Sequence, residues 1–383
     1  MTVCVKNLNK ERNQNPVDRV SPIAIDLVAK ECVRCESCMQ ECGFLQHNGT
    51  PGQIAADHLS RKKTHFDTAY SCSICRLCTH KCPKGLPVAE MFLALRRRAV
   101  LNGQGRYKEH RGLLLYEWLG NSRLFNGYLL PDNCTTVFFP GCTLPGILPE
   151  QTYRLFALLR KKYPELGIVF DCCNKPSHDL GFQDRFESRL QRRLERLRSR
   201  GVTRIITACP SCFQIFNRYG ECFEVTTAYT HLECSRQHRS IGIERKYTLH
   251  DPCTVRFEPE IQRAVRQIIR SKGIEISEMP HNQEATICCG EGGSARCIRG
   301  GSASDWSRKR KAEVNGLPLL TFCAGCTLSL KTGTTIHVID LLFDSPNEKS
   351  SSTQSIPAPF TYFNRLLLKM KIAKDLRHSR IRN

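Results

Sequence analysis

No apolar run in this 383-residue sequence approaches the length of a bilayer-crossing helix, which argues against an integral membrane protein. The opening residues, MTVCVKNLNKERNQNPVDRV, hold no apolar h-region, so no secretory signal is expected. A cytoplasmic location follows, unless a partner or an amphipathic segment holds the chain on the inner face of the cell membrane. Glycine-rich nicotinamide or flavin fingerprints are absent, so any such cofactor must come with a partner. Aromatic residues are 8% of the chain and are not interleaved with its arginines, and no DNA- or RNA-binding motif is present, which argues against nucleic acid. Acidic residues are scarce: 36 Asp and Glu face 57 Lys and Arg, for a formal net charge of +21. That excess suits an acidic partner subunit, a redox protein or an anionic membrane surface. Hydrophobic content of 40% and charged content of 24% describe a globular chain of two or three domains.

What the chain has in abundance is cysteine, 23 in all. In a reducing compartment that number argues for metal rather than disulfides. Cys32, Cys35, Cys38 and Cys42 form C-x2-C-x2-C-x3-C. Cys72, Cys75, Cys78 and Cys82 repeat the run, with Pro83 directly after. This is the ligand spacing of bacterial ferredoxin runs, in which three thiolates on one loop hold three corners of a [4Fe–4S] cubane. The fourth cysteine reaches the other cluster. By that rule Cys82 joins Cys32, Cys35 and Cys38, and Cys42 joins Cys72, Cys75 and Cys78. Tetrahedral zinc also uses C-x2-C pairs, but two uninterrupted runs of identical spacing are a poor zinc pattern. Gly43 stands where a proline is expected after the first run, and that residue is not a ligand.

From residue 134 onward the chain repeats itself. TTVFFPGC ends at Cys142 and KYTLHDPC at Cys253. Adjacent pairs follow at Cys172–Cys173 and Cys288–Cys289, then apolar runs feeding C-x2-C at Cys209/Cys212 and Cys323/Cys326. A helix is expected in each repeat, over Pro149 to Lys162 and Glu260 to Lys272. Landmarks in register at an offset of 111–116 residues indicate a duplicated α/β unit. Further helices are read over Pro87 to Val100, opened by proline, and over Arg185 to Arg200, stopped by Gly201.

These ten cysteines resemble the cysteine-rich CCG domains of heterodisulfide reductases and of related subunits of glycolate oxidase and anaerobic glycerol-3-phosphate dehydrogenase. A two-cubane module followed by two CCG domains is similar to the methanogen-type heterodisulfide reductase iron–sulfur subunit. The resemblance implies a mixed α+β and α/β fold: a helical ferredoxin-like two-cluster module followed by two Rossmann-like CCG repeats. The corresponding domains are 22–100 for the ferredoxin-like module, 101–131 for a connecting helical segment, 132–240 and 245–344 for the CCG domains, 345–359 for a flexible linker and 360–383 for a basic amphipathic tail.

The resemblance further implies two noncubane [4Fe–4S] clusters beside the two cubanes. One would be held by Cys142, Cys172, Cys173, Cys209 and Cys212, the other by Cys253, Cys288, Cys289, Cys323 and Cys326. Cys172, Cys173, Cys288 and Cys289 would be catalytic, a disulfide being split between the two centres. An ordinary cubane or zinc in each domain is the alternative for these ten. The function implied is an oxidoreductase subunit that moves electrons through the cubanes to reduce a disulfide or oxidise thiols. The alternative is a relay from a flavin dehydrogenase (glycolate, lactate or glycerol-3-phosphate) to quinone. Partners would be a flavoprotein or a haem- or quinone-bearing membrane protein of the same complex. Asn174 stands where the family shows glycine after the vicinal pair, and Thr254 where a histidine is common among relatives.

Gly290, Gly292 and Gly293 are expected to let backbone amides approach cluster sulfur. Cys4, Cys134, Cys222, Cys234 and Cys297 read as structural thiols, and His250 with Asp251 as a turn-forming pair with a capping histidine. In the tail, Phe363, Leu366, Leu367, Met370, Ala373 and Leu376 share one helical face, with Arg365, Lys369, Lys371, Lys374 and Arg377 over much of the rest. Such a helix can lie on anionic lipid, dock on a partner or pack on its own domain.

Overall fold

A computed structural model describes residues 21–232, 245–298, 303–331, 334–343 and 358–381. Cys4, Cys234 and most of the 345–359 linker lie outside the described residues. The chain divides into two compact units that do not follow sequence order. The first comprises residues 1–111, 176–186 and 290–306; the second comprises 112–175, 187–289 and 307–383.

The first unit is helical. Ser21–Glu31, Pro51–Leu59 and Val88–Leu101 pack together around Ile25, Val28, Ile54, Met91, Phe92 and Leu95. Pro51 opens its helix with φ already set, and Thr50 caps it, its Oγ1 accepting from the Gln53 amide at 3.3 Å. Val88–Leu101 starts one residue after the proline that signals it and buries most of its length, so it is the axle of the unit. Phe44 meets Phe92 edge-on, with ring centroids 5.0 Å apart.

In the second unit, five strands, β1 (Gly127–Leu129), β2 (Thr136–Phe139), β3 (Gly167–Phe170), β4 (Arg204–Thr207) and β5 (Glu224–Thr227), form one sheet in the order β1-β3-β2-β4-β5. Four more, β6 (Arg245–His250), β7 (Ile274–Glu278), β8 (Leu319–Thr321) and β9 (Thr335–His337), form another in the order β7-β6-β8-β9. Setting aside the antiparallel edge strand β1, both sheets are parallel with the same order: second, first, third, fourth. The repeat visible in sequence is therefore a duplicated fold. Strands TVFF and GIVF are apolar and buried at every position, as parallel strands covered on both faces must be. Crossover helices supply much of that cover. Pro149–Lys162 buries Leu155, Phe156 and Leu159; Pro259–Ser271 buries Ile261, Val265, Ile268 and Ile269. One core runs through both halves, uniting Phe138, Ile168 and Ile206 with Leu249, Leu320 and Ile336.

The last helix, Ala358–Ile381, belongs to the second unit and is not a free tail. It buries Tyr362, Arg365, Leu368 and Ile372, and Lys369 donates to the carbonyls of Leu124 and Asn126 at 3.0 and 2.6 Å. The face favoured by sequence is the neighbouring one, which leaves Phe360, Phe363, Leu367 and Met370 exposed. Among the described residues no helix is long and apolar enough to cross a membrane.

Candidate metal centres

In the first unit, the two cysteine runs fold into matching loops. Arg34 and Glu36 in one, Ile74 and Arg76 in the other, all have positive φ (54°, 61°, 49° and 63°). They occupy equivalent places: second residue after the first cysteine, first residue after the second. For non-glycine residues each such conformation costs about 1–2 kcal/mol, and β-branched Ile74 is the worst suited. Positive φ at paired positions is the backbone geometry that turns successive N–H groups inward, as anion-receiving loops require. The Ile74 amide already donates to Cys72 Sγ at 3.4 Å.

Cys32, Cys35, Cys38 and Cys82 line one cavity, with Pro51 and Pro83 beside them. A Cβ on Gly52 would fall 2.7 Å from Cys32 Cβ, so only glycine lets the helix Pro51–Leu59 approach this closely. Burial pushes the Cys38 thiol up to about 11, helped by Cys32, Cys82 and Cys35. Burial also raises Cys42, and there the neighbouring charges are Cys75 and Cys72. Cys78 is raised by burial and then by Cys72, Cys75 and Cys42. Thus each run's fourth cysteine sits with the other run's first three. Four thiols on each side, gathered on short loops, are a donor set that fits a four-thiolate metal core.

Arg96 is the support of the second loop and was not signalled by sequence. It is fully buried in the helix Val88–Leu101. Its Nε donates to the Ala69 carbonyl at 3.0 Å, and its Nη2 to those of Tyr70 and Cys72 at 3.2 and 2.6 Å. Nη1 donates to the carbonyls of Asp179 and Gly293, both at 2.6 Å. One side chain thereby fastens the Cys72 loop to the segments that follow each vicinal cysteine pair. Gly293 (φ +60) packs on that loop, where a Cβ would lie 2.8 Å from the Cys72 carbonyl. The glycine-rich stretch after Cys289 thus serves the second ferredoxin-like run, and its expected approach to the Cys288–Cys289 centre is not what Gly293 does.

In the second unit the ten remaining grouped cysteines lie at the carboxyl ends of the parallel strands, where open α/β sheets bind ligands. Cys142 follows β2, Cys172–Cys173 follow β3, and Cys209 follows β4; Cys253, Cys288–Cys289 and Cys323 follow β6, β7 and β8. In the first half the thiols form a continuous chain of contacts, Cys142 to Cys172 to Cys173 to Cys212 to Cys209. S–H donation from Cys172 and Cys212 pushes Cys173 down to about 6. In the second half Cys288, Cys289, Cys326 and Cys323 are linked likewise, with Cys326 Sγ 3.3 Å from Cys289 Sγ. Cys253 occupies the turn Cys253–Val255. Gly141 has φ +85, and its Cβ would stand 3.1 Å from Cys209 Cβ and 3.3 Å from Cys212 Sγ. Asn174 takes glycine's place at φ +60, held by Arg193 donating to its Oδ1 at 2.9 Å.

The two halves meet at their sites. The Tyr229 hydroxyl reaches the carbonyls of Ala208 and Phe322, both at 3.2 Å, the residues immediately before Cys209 and Cys323. The helix Pro210–Tyr219, which carries Cys212, packs on the turn that carries Cys253.

His250 is not a capping residue. It is fully buried, and its Nδ1 accepts from Arg310 Nε at 2.8 Å. Arginine only donates, so the Nε2 nitrogen carries the proton. That N–H has no hydrogen-bond partner among the described residues, and a ring nitrogen of His250 lies within 4.8 Å of the Cys289 and Cys326 sulfurs. In this tautomer His250 cannot ligate a metal through Nε2, and its ring stands beside the Cys289 and Cys326 thiols as a neutral group. Phe139 occupies the equivalent place in the first half, so the two centres are chemically unequal. Of the ungrouped cysteines, Cys134 donates to the Thr136 carbonyl at 3.2 Å, Cys297 is half-buried, and Cys222 is disulfide-bonded.

Comparison with known proteins gives a 4Fe-4S dicluster domain over residues 28–86 and a cysteine-rich (CCG) domain over both 136–217 and 247–331. A fumarate reductase (CoM/CoB) subunit of Methanothermobacter marburgensis is 25% identical over 78% of this chain and 67% of that protein. A ferredoxin:CoB-CoM heterodisulfide reductase subunit of Methanosarcina mazei is 33% identical over 23% of this chain and 56% of that protein. An EtfAB:quinone oxidoreductase of Syntrophomonas wolfei is 22% identical over 59% of this chain and 36% of that protein.

Proposed function

Because the chain belongs to the heterodisulfide-reductase-related iron–sulfur family, whose members join a 4Fe–4S dicluster domain to cysteine-rich CCG domains, we propose that it is the disulfide-reducing subunit of a redox complex. Its coarser role, an iron–sulfur electron-transfer subunit, follows from the family itself. The observation that carries the finer reading is the meeting of two five-cysteine sets around Tyr229. A disulfide has two sulfurs to part, and two thiol-rich centres side by side offer each a place.

In this reading Cys32, Cys35, Cys38 and Cys82 hold one cubane, and Cys42, Cys72, Cys75 and Cys78 the other. Cys142, Cys172, Cys173, Cys209 and Cys212 hold one further cluster, and Cys253, Cys288, Cys289, Cys323 and Cys326 its counterpart. When bound, the clusters supply one-electron redox chemistry. The net reaction takes a disulfide, two electrons and two protons to two thiols. The protein's own part is to fix the sulfurs, exclude water from them and present fixed donors. Gly141 and Asn174 let the backbone fold tightly around the first set, and the buried His250 ring stands at the second. A flavoprotein or a haem- or quinone-bearing membrane partner would supply the electrons. The row Phe360, Phe363, Leu367 and Met370, with Lys371, Lys374 and Arg377 nearby, would bring the chain peripherally to an anionic membrane face.

Turnover separates this from the relay. Reduced anaerobically with a viologen dye and given small disulfides, the protein should oxidise the dye in step with thiol release. A protein that ignores every disulfide but exchanges electrons readily with a quinone or a flavoprotein is a relay, and the proposal fails.

A further inference from the structure

The net charge of +21 points outward for its balance, to lipid or a partner. Among the described residues, however, four arginines are fully buried: Arg96, Arg256, Arg310 and Arg365. Three have oxygen or nitrogen acceptors. Arg96 serves five carbonyls, Arg256 donates to the carbonyls of Glu284 and Thr286, and Arg310 serves His250, the His281 carbonyl and Glu313.

Arg365 differs. It comes from the helix Ala358–Ile381, it is 0% exposed, and Nε, Nη1 and Nη2 all lack a hydrogen-bond partner among the described residues. The face of Tyr362 lies 5.7 Å from the guanidinium carbon, a weak counterpart for a full charge. A Cβ placed on Gly120 would lie 3.2 Å from Arg365 Nη1 and 3.7 Å from Cys172 Cβ, so the guanidinium and Cys172 flank one point. Leaving a guanidinium dry and unpaired costs several kcal/mol. An anion beside it offsets that cost, and the group the fold places on its side is Cys172, itself in contact with Cys142.

We propose that Arg365 is the counter-charge and N–H donor of the cluster bound by Cys142, Cys172, Cys173, Cys209 and Cys212, which makes the C-terminal helix part of that redox centre. The proposal rests on the reading that these five cysteines hold a cluster. Five thiolates give such a centre more negative charge than four, and a full positive charge against them favours the reduced state. Among the described residues the second half shows no equal: there the charge of Arg310 is set back behind neutral His250. The first centre is therefore the easier of the two to reduce.

The test uses full-length protein purified anaerobically, as wild type, Arg365→Gln and Arg365→Lys, with cluster potentials read by redox titration and iron by assay. Arg365→Gln should move one midpoint potential negative and leave the others in place; Arg365→Lys, which keeps the charge at shorter reach, should recover part of the shift. Wild-type protein labelled with 15N-arginine should show nitrogen and exchangeable-proton couplings at one centre, a readout that needs no variant to fold. Wild-type iron with unmoved potentials, or no arginine coupling, overturns the proposal alone. If Cys142→Ser and Cys209→Ser leave the iron content unchanged, the first set holds no cluster. The reading beneath then fails, and the Arg365 proposal with it.

Discussion

Addition of small thiols to the oxidised protein should produce a new paramagnetic signal, and serine at Cys172, Cys173, Cys288 or Cys289 should abolish it. Reduction of a disulfide takes two electrons, and in the proposed function clusters would deliver them singly, so the reaction would pass through an odd-electron state. A thiol added to the oxidised protein enters that state from the product side. The vicinal cysteines are the residues at issue because each pair follows a strand within sulfur contact of its C-x2-C partner: Cys173 with Cys212, and Cys289 with Cys326 at 3.3 Å. Disabling the cubanes through Cys35→Ser and Cys75→Ser should leave the signal intact while stopping turnover, because the proposed function gives binding to one cysteine group and electron supply to the other. A relay has no such asymmetry. Electron paramagnetic resonance across this panel, with thiols from neutral to anionic, checks the point. A signal that survives loss of both vicinal pairs would be inconsistent with it.

Arg96→Leu should be the most damaging single substitution in the first unit. It leaves carbonyls of Ala69, Tyr70, Cys72, Asp179 and Gly293 without their donor in a dry interior. Mutations that strand buried polar groups in this way cost about 3–5 kcal/mol. Arg96→Lys keeps the charge but not the fork, since three donors on a flexible stem cannot meet five carbonyls, and should lose somewhat less. Release of cluster iron during denaturant titration is the measurement. The leucine variant should lose iron from one cubane at markedly lower denaturant than wild type. Coincident curves would show that Arg96 is not the fastening described here.

The halves of the second unit were legible because parallel strands write themselves as apolar runs and their helices open on proline. Pro149–Lys162 begins and ends where periodicity puts it, and Pro259–Ser271 departs from expectation by one residue at each end. The register between Cys142 and Cys253 reappears as one strand order used twice. What could not be read were partners made of backbone. The five carbonyls gripped by Arg96 carry no residue signature, so nothing in the sequence assigns residues 176–186 and 290–306 to the first unit. His250 looked like a turn residue because its partner, Arg310, lies 60 positions away. The last helix offers two adjacent stripes, and the one holding Phe363, Leu367 and Met370 reads as the stronger. The buried stripe was disguised by Arg365 in its middle, because arginine is a residue type seldom found fully buried.

Iron and acid-labile sulfide per chain, measured together after anaerobic purification, test the central claim that eighteen cysteines in matched sets hold clusters. The expected result is close to four clusters' worth of both elements, with roughly half retained when Cys35 and Cys75 are replaced by serine and the ferredoxin-like pair is lost. Zinc as the principal metal, with little sulfide, would contradict it.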